Sequence, residues 1–175
     1  MMEPLTNANP EATSARALQR IRVWLALFIA GLVLSGVTAF PLVEEVGWLD
    51  RTVHAPALRI VAERAHLPDW IERVDKGLAA TDARYPFLAY GTDWLAFGHL
   101  VIAVAFIGPW IDPVRNKWVI TFGLIACAGV IPLALIAGAA RGIPWGWRLI
   151  DCSFGVVGSV PLLICRRHIR VMESG

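Results

Sequence analysis

With 175 residues the chain has room for one domain, and its 57% apolar and 17% charged content sets it apart from an ordinary soluble domain. The net charge of +2 rests on 14 arginines, two lysines and 14 acids, with no basic tract of the kind that follows a phosphate backbone. Nucleic-acid binding is thereby excluded.

Four apolar stretches dominate the chain. Residues 1–20 read as a disordered cytoplasmic tail. Residues 23–43 contain no ionisable group, residues 94–111 contain only His99, and residues 118–140 carry no charge. Residues 147–165 are interrupted near their start by Arg148 and Asp151. A membrane-spanning helix needs roughly 20 mostly apolar residues, so four spans are expected. Seven of the eight tryptophans stand at the ends of these stretches: Trp24, Trp48, Trp94, Trp110, Trp118, Trp145 and Trp147. Indole has an apolar body and one N–H donor, which suits the headgroup zone of a bilayer.

The connections carry helix punctuation. Val37, Thr38 and Ala39 fit a signal-peptidase site, but the long N-terminal lead and the apolar run continuing to Val43 favour an uncleaved anchor. In the 44–93 segment, Val53, Ala57, Ile60 and Val61 share one helical face, and Trp70, Ile71, Val74 and Leu78 share another after a helix start at Leu67, Pro68 and Asp69. Two short amphipathic helices are expected there, lying on the outer leaflet or packing over the ends of the spans. Asp112 and Pro113 predict an N-cap and first helical position, which makes spans two and three a tight antiparallel hairpin. Gly142 and Pro144 predict a helix stop, which keeps spans three and four close.

Arg16, Arg20, Arg22, Arg115, Lys117, Arg166, Arg167 and Arg170 all fall on one face of a four-span bundle, whereas the 44–93 segment carries nine acids against six bases. The positive-inside bias therefore puts both termini in the cytoplasm, in a cell membrane of bacterial inner-membrane type. The fold class is an all-α integral membrane protein: one domain, four transmembrane helices, and a short amphipathic helical loop between helices one and two.

Unusual polar residues gather towards the outer side: Asp93, His99, Arg141, Arg148 and Asp151. His99 reads either as a proton relay, metal ligand or base, or as a neutral ring bonded across the bundle. Arg148 and Asp151 are three residues apart, and an ion pair between them would neutralise both. Cys152, Ser153 and His99 lie at similar depth, yet no nucleophile motif or metal-binding spacing accompanies them. Cys127, Cys152 and Cys165 fall at three depths and read as small apolar side chains. Gly31, Ser35 and Ala39 on span one, and Gly155 with Ser159 on span four, mark two ridges for close helix packing.

No cofactor or metal is implied. The reading that follows is a non-enzymatic membrane protein acting by assembly, with a membrane-protein partner or as a homo-oligomer. Proton- or ion-coupled transport through His99, Asp93, Arg148 and Asp151 is the first alternative, and an outer-face enzyme acting on a lipid-linked substrate is the second.

Overall fold

The computed structural model describes residues 10–56 and 59–174. Four helical stretches are long and apolar enough to cross a membrane: Thr13–Thr38, Pro86–Ile111, Lys117–Ala140 and Trp145–Glu173. Their side chains face outward to a degree no soluble bundle shows, with Leu27, Val104, Leu133, Ile136 and Phe154 all about 60% exposed or more, and no charged or polar residue is buried among the described residues. Apolar surface of this kind is matched to hydrocarbon. The chain is an all-α, multi-pass membrane protein.

The first span, α1 (Pro10–Thr38), starts and stops earlier than the sequence suggests. Residues 10–20, expected as part of a disordered tail, are helical, and residues 1–9 lie outside the described residues. Helical pairing of Ala17 and Ile21 against the rest of the bundle buries both, which explains why the helix extends beyond the uncharged run. At the other end the helix stops at Thr38 rather than Val43, because Pro41 lacks an N–H and disfavours helical backbone in the residue before it.

Three helices follow in the connecting segment: α2 (Leu42–Val53), α3 (Arg59–Arg64) and α4 (Leu67–Arg84). The expected stripe of Val53, Ala57, Ile60 and Val61 is not one helical face. Val53 ends α2 in a turn that contains Pro56, Ala57 lies outside the described residues, and Ile60 is exposed. Proline at 56 breaks the helical register between them. The second stripe holds in its first half: Ile71 is buried, and Trp70, with Leu67, packs with it against Val53 and Ala62, whereas Val74 and Leu78 are only partly buried and outside this cluster. Trp147 joins this cluster, and Gly146 lets the backbone of Ala65 approach, so the segment packs over the start of the fourth span. On the opposite face of α4, Lys76 holds the Glu72 carboxyl below the usual carboxylate range through a hydrogen bond.

A short 3-10 turn (Pro86–Ala89) leads into α5 (Tyr90–Ala105) and α6 (Ile107–Ile111), which together form the second span. Asp112 Oδ1 accepts the backbone N–H of Arg115 at 3.0 Å, as a capping aspartate would, but regular helix begins only at Lys117 after one further turn. The third span consists of α7 (Lys117–Pro132), a π-helical segment (Leu133–Ala137) and α8 (Gly138–Ala140). Pro132 supplies no N–H to the ladder, and the wider turn after it absorbs the loss. Gly142 then takes φ +69°, a conformation side-chain-bearing residues adopt at a cost, and ends the helix as its sequence predicts. The fourth span is α9 (Trp145–Glu173).

Packing order differs from chain order. The spans run α5, α1, α9, α7 across the bundle, with α1 and α9 central. The expected hairpin between spans two and three is therefore not a packed pair: α6 touches α7 around the turn, while α5 packs on α1. A short link fixes where two helices meet but not the angle at which they leave. The close approaches are elsewhere, at Gly36 against the Ala96 carbonyl and at Gly155 against the Cys127 carbonyl. The larger buried apolar cluster (Ile21, Leu25, Phe106, Ile120, Leu162, Cys165 and Ile169) lies towards the end that carries Arg22, Arg115 and Lys117. There Arg22 and Trp110 exchange hydrogen bonds with each other's carbonyls, and Lys117 pairs with Glu173 at 2.7 Å. We call this the basic end and the opposite one the loop end.

Candidate functional site

Because the larger buried cluster fills the bundle only at the basic end, α5 and α7 are left apart above it, and a cavity of about 1130 Å³ opens between them. All four spans line it. Trp24, Phe28, Phe106 and Phe122 close its lower part, while Leu34, Phe154 and Val157 stand exposed along its rim. Small residues form much of the remaining wall: Gly31 and Ser35 on α1, Ala126 and Ala137 on the third span, and Gly158 on α9. A Cβ added at Gly31 would meet nothing within 4 Å. This corrects the expected ridge of Gly31, Ser35 and Ala39, since Gly31 faces open groove and the helix contact on α1 is made by Gly36. The span-four ridge holds at Gly155, which lies against α7, whereas Ser159 Oγ donates to Val156 O within its own helix.

Of the five polar residues singled out in the sequence, three share this groove: His99 on α5, Arg141 after α8 and Asp151 on α9. The other two are placed elsewhere. Asp93 sits in the first turn of α5, where a carboxylate complements the positive helix terminus. Arg148 does not pair with Asp151. Its Nη1 donates to the Leu135 carbonyl in the π-helical segment at 3.5 Å, and its stem packs over Gly138. The carbonyls near that irregular helix end accept from outside the helix, which draws the guanidinium across to α7. Its Nε is buried without a hydrogen-bond partner among the described residues. Asp151 likewise has no hydrogen bond or ion pair among the described residues.

His99 does not reach across the bundle either. Its Nδ1–H donates to the Leu95 carbonyl one turn back, at 2.8 Å, which leaves Nε2 as the free ring nitrogen. The nucleophile arrangement considered from the sequence is not assembled. Ser153 Oγ donates to Ile150 O, and the Cys152 thiol is directed to Ile131 O. No cluster of metal-ligating side chains occurs among the described residues. The three cysteines are unpaired, with Cys165 buried beside Ile21.

What this arrangement offers is a tall apolar slot with small residues in its wall and three ionisable groups at the loop end. The aromatic lining escaped sequence reading, because periodicity alone does not separate a groove-facing phenylalanine from a lipid-facing one. The one signal available was the small-residue spacing on α1. No protein-family model, curated protein or solved structure matches this chain.

Proposed function

We propose that this chain is a non-enzymatic protein of a bacterial inner membrane, with both termini cytoplasmic, whose groove receives a membrane-spanning helix of a partner protein. The observation that carries the reading is an apolar groove between α5 and α7 with Gly31, Ser35, Ala126, Ala137 and Gly158 in its wall. Within hydrocarbon, covering apolar surface gains nothing by itself. Spans associate through close van der Waals contact and interhelical hydrogen bonds, and small side chains let backbones approach. His99, Arg141 and Asp151 supply polar contacts at one end, which would fix the register of the partner helix.

The test is photo-crosslinking in native membranes. A photoreactive residue at Leu34 or Phe154 on the groove rim is expected to give a discrete adduct with another membrane protein. The same group at Val104, exposed and off the groove, is expected to give none. Gly31→Leu fills open space without disturbing the fold, so it should weaken the adduct by about tenfold or more, a loss of ~1.4 kcal/mol. Adducts with lipid alone, or with a second copy of this chain, would contradict the proposed occupant.

Ion-coupled transport is favoured by one observation, the meeting of His99, Arg141 and Asp151 on a single groove. Towards the basic end the same groove is lined by Trp24, Phe28 and Phe106, with no ionisable group to continue a path. In proteoliposomes, His99→Ala is expected to leave ion flux unchanged. A fall of about tenfold would favour transport over partner binding.

A further inference from the structure

A second cavity, of about 610 Å³, is lined by α1 and α9 together at the basic end, far from the groove's polar trio. Arg16 and Arg20 line it from α1, one helical turn apart on the same face, and Arg167 and His168 line it from α9. Among the described residues no carboxylate lines the cavity. The one acid near the end of α9, Glu173, is engaged by Lys117. Arg22, two residues on from Arg20, is committed to Trp110, but the guanidinium groups of Arg16, Arg20 and Arg167 have no hydrogen bond or ion pair among the described residues. Three positive groups around one cavity repel each other, and an anion between them relieves that repulsion.

The rest of the wall says what kind of anion. Ile164, deeper than Arg167, makes the wall apolar beneath the charges, and Ala17 and Val171 line it beside and beyond them, a surface from which a fully hydrated phosphate gains nothing. Arg20 lies three residues before the apolar run of α1, and Arg167 two residues after that of α9, so the charges stand at headgroup level. Guanidinium forks match the paired oxygens of a phosphate, and the apolar wall matches glycerol and the first methylenes below it. We infer that this cavity binds the phosphate of an anionic phospholipid. The site is independent of the groove and of its proposed occupant.

The full chain in nanodiscs of phosphatidylcholine with added phosphatidylglycerol provides the test, with retained lipid counted by native mass spectrometry. Saturable retention of phosphatidylglycerol over phosphatidylcholine is expected. Arg20→Gln with Arg167→Gln should weaken it about tenfold or more. Arg115→Gln with Arg170→Gln removes the same charge from the same end but off the cavity, and should change retention less than about twofold. If the first pair does not fold, Arg16→Gln alone is expected to cost about fivefold. Equal losses in both double variants would reduce the effect to diffuse surface charge and overturn the proposal. So would absence of preference for phosphatidylglycerol, or displacement of the lipid by millimolar inorganic phosphate.

Discussion

Gly31 and Gly155 are indistinguishable in the sequence: each is a small residue inside an apolar run, four positions from a serine. Their surroundings are opposite. A Cβ at Gly155 would press on the backbone carbonyl of Cys127, and backbone cannot swing aside as a side-chain tip can. Gly155→Val should therefore force α7 and α9 apart and lower stability by about 1–3 kcal/mol, read as an earlier melting transition in detergent. Gly31→Ala adds its methyl to open space and should be neutral or stabilising by up to about 1 kcal/mol, since alanine favours helix. Equal effects at the two sites would refute the placement of α7 against α9. The same limit governed the polar residues. Sequence put His99 and Asp151 at similar depth, and the groove holds both, but it could not show that Arg148 turns to the Leu135 carbonyl instead of its helical neighbour. That choice depends on an acceptor from another element.

At the level of helices, local chemistry was read well where one residue decides the backbone. Gly142 ends the third span at φ +69° as expected, whereas Asp112 caps only the turn before that span, whose helix begins at Lys117. Hydrophobic runs were less informative about ends. The uncharged stretch 23–43 contains Pro41, and proline outweighs continued apolarity in deciding where α1 stops. At the other end, α1 extends to Pro10 through Arg20 and Arg16, because Ala17 and Ile21 gain packing that the charge pattern does not reveal. The break between α2 and α3 has the same origin as the stop at Thr38: Pro56 interrupts a face that periodicity alone joined from Val53 to Val61.

The spans and their number were legible in the sequence, whereas their order in space was not. A link of a few residues between spans two and three suggests adjacency, yet α5 and α7 occupy opposite edges of the bundle and converge only at the basic end. Spin labels test this directly, in a background without the native cysteines. The pair at Ile111 and Trp118 reports the convergent end, and the pair at Tyr90 and Ala139 reports the open one. Packed helices lie about 8–10 Å apart, so the second distance should exceed the first by at least that spacing. Equal distances would describe a closed bundle and remove the groove. The central position of α1 and α9 also bears on how the protein is made. During synthesis the first three spans emerge while α7 still lacks the helix it packs on, and Leu162, Cys165 and Ile169 are supplied by α9, which is made after it. Insertion into the bilayer and completion of the core are thus separate events, divided by the time needed to translate α9. Until then α7 presents to lipid the face that Gly155 will later cover.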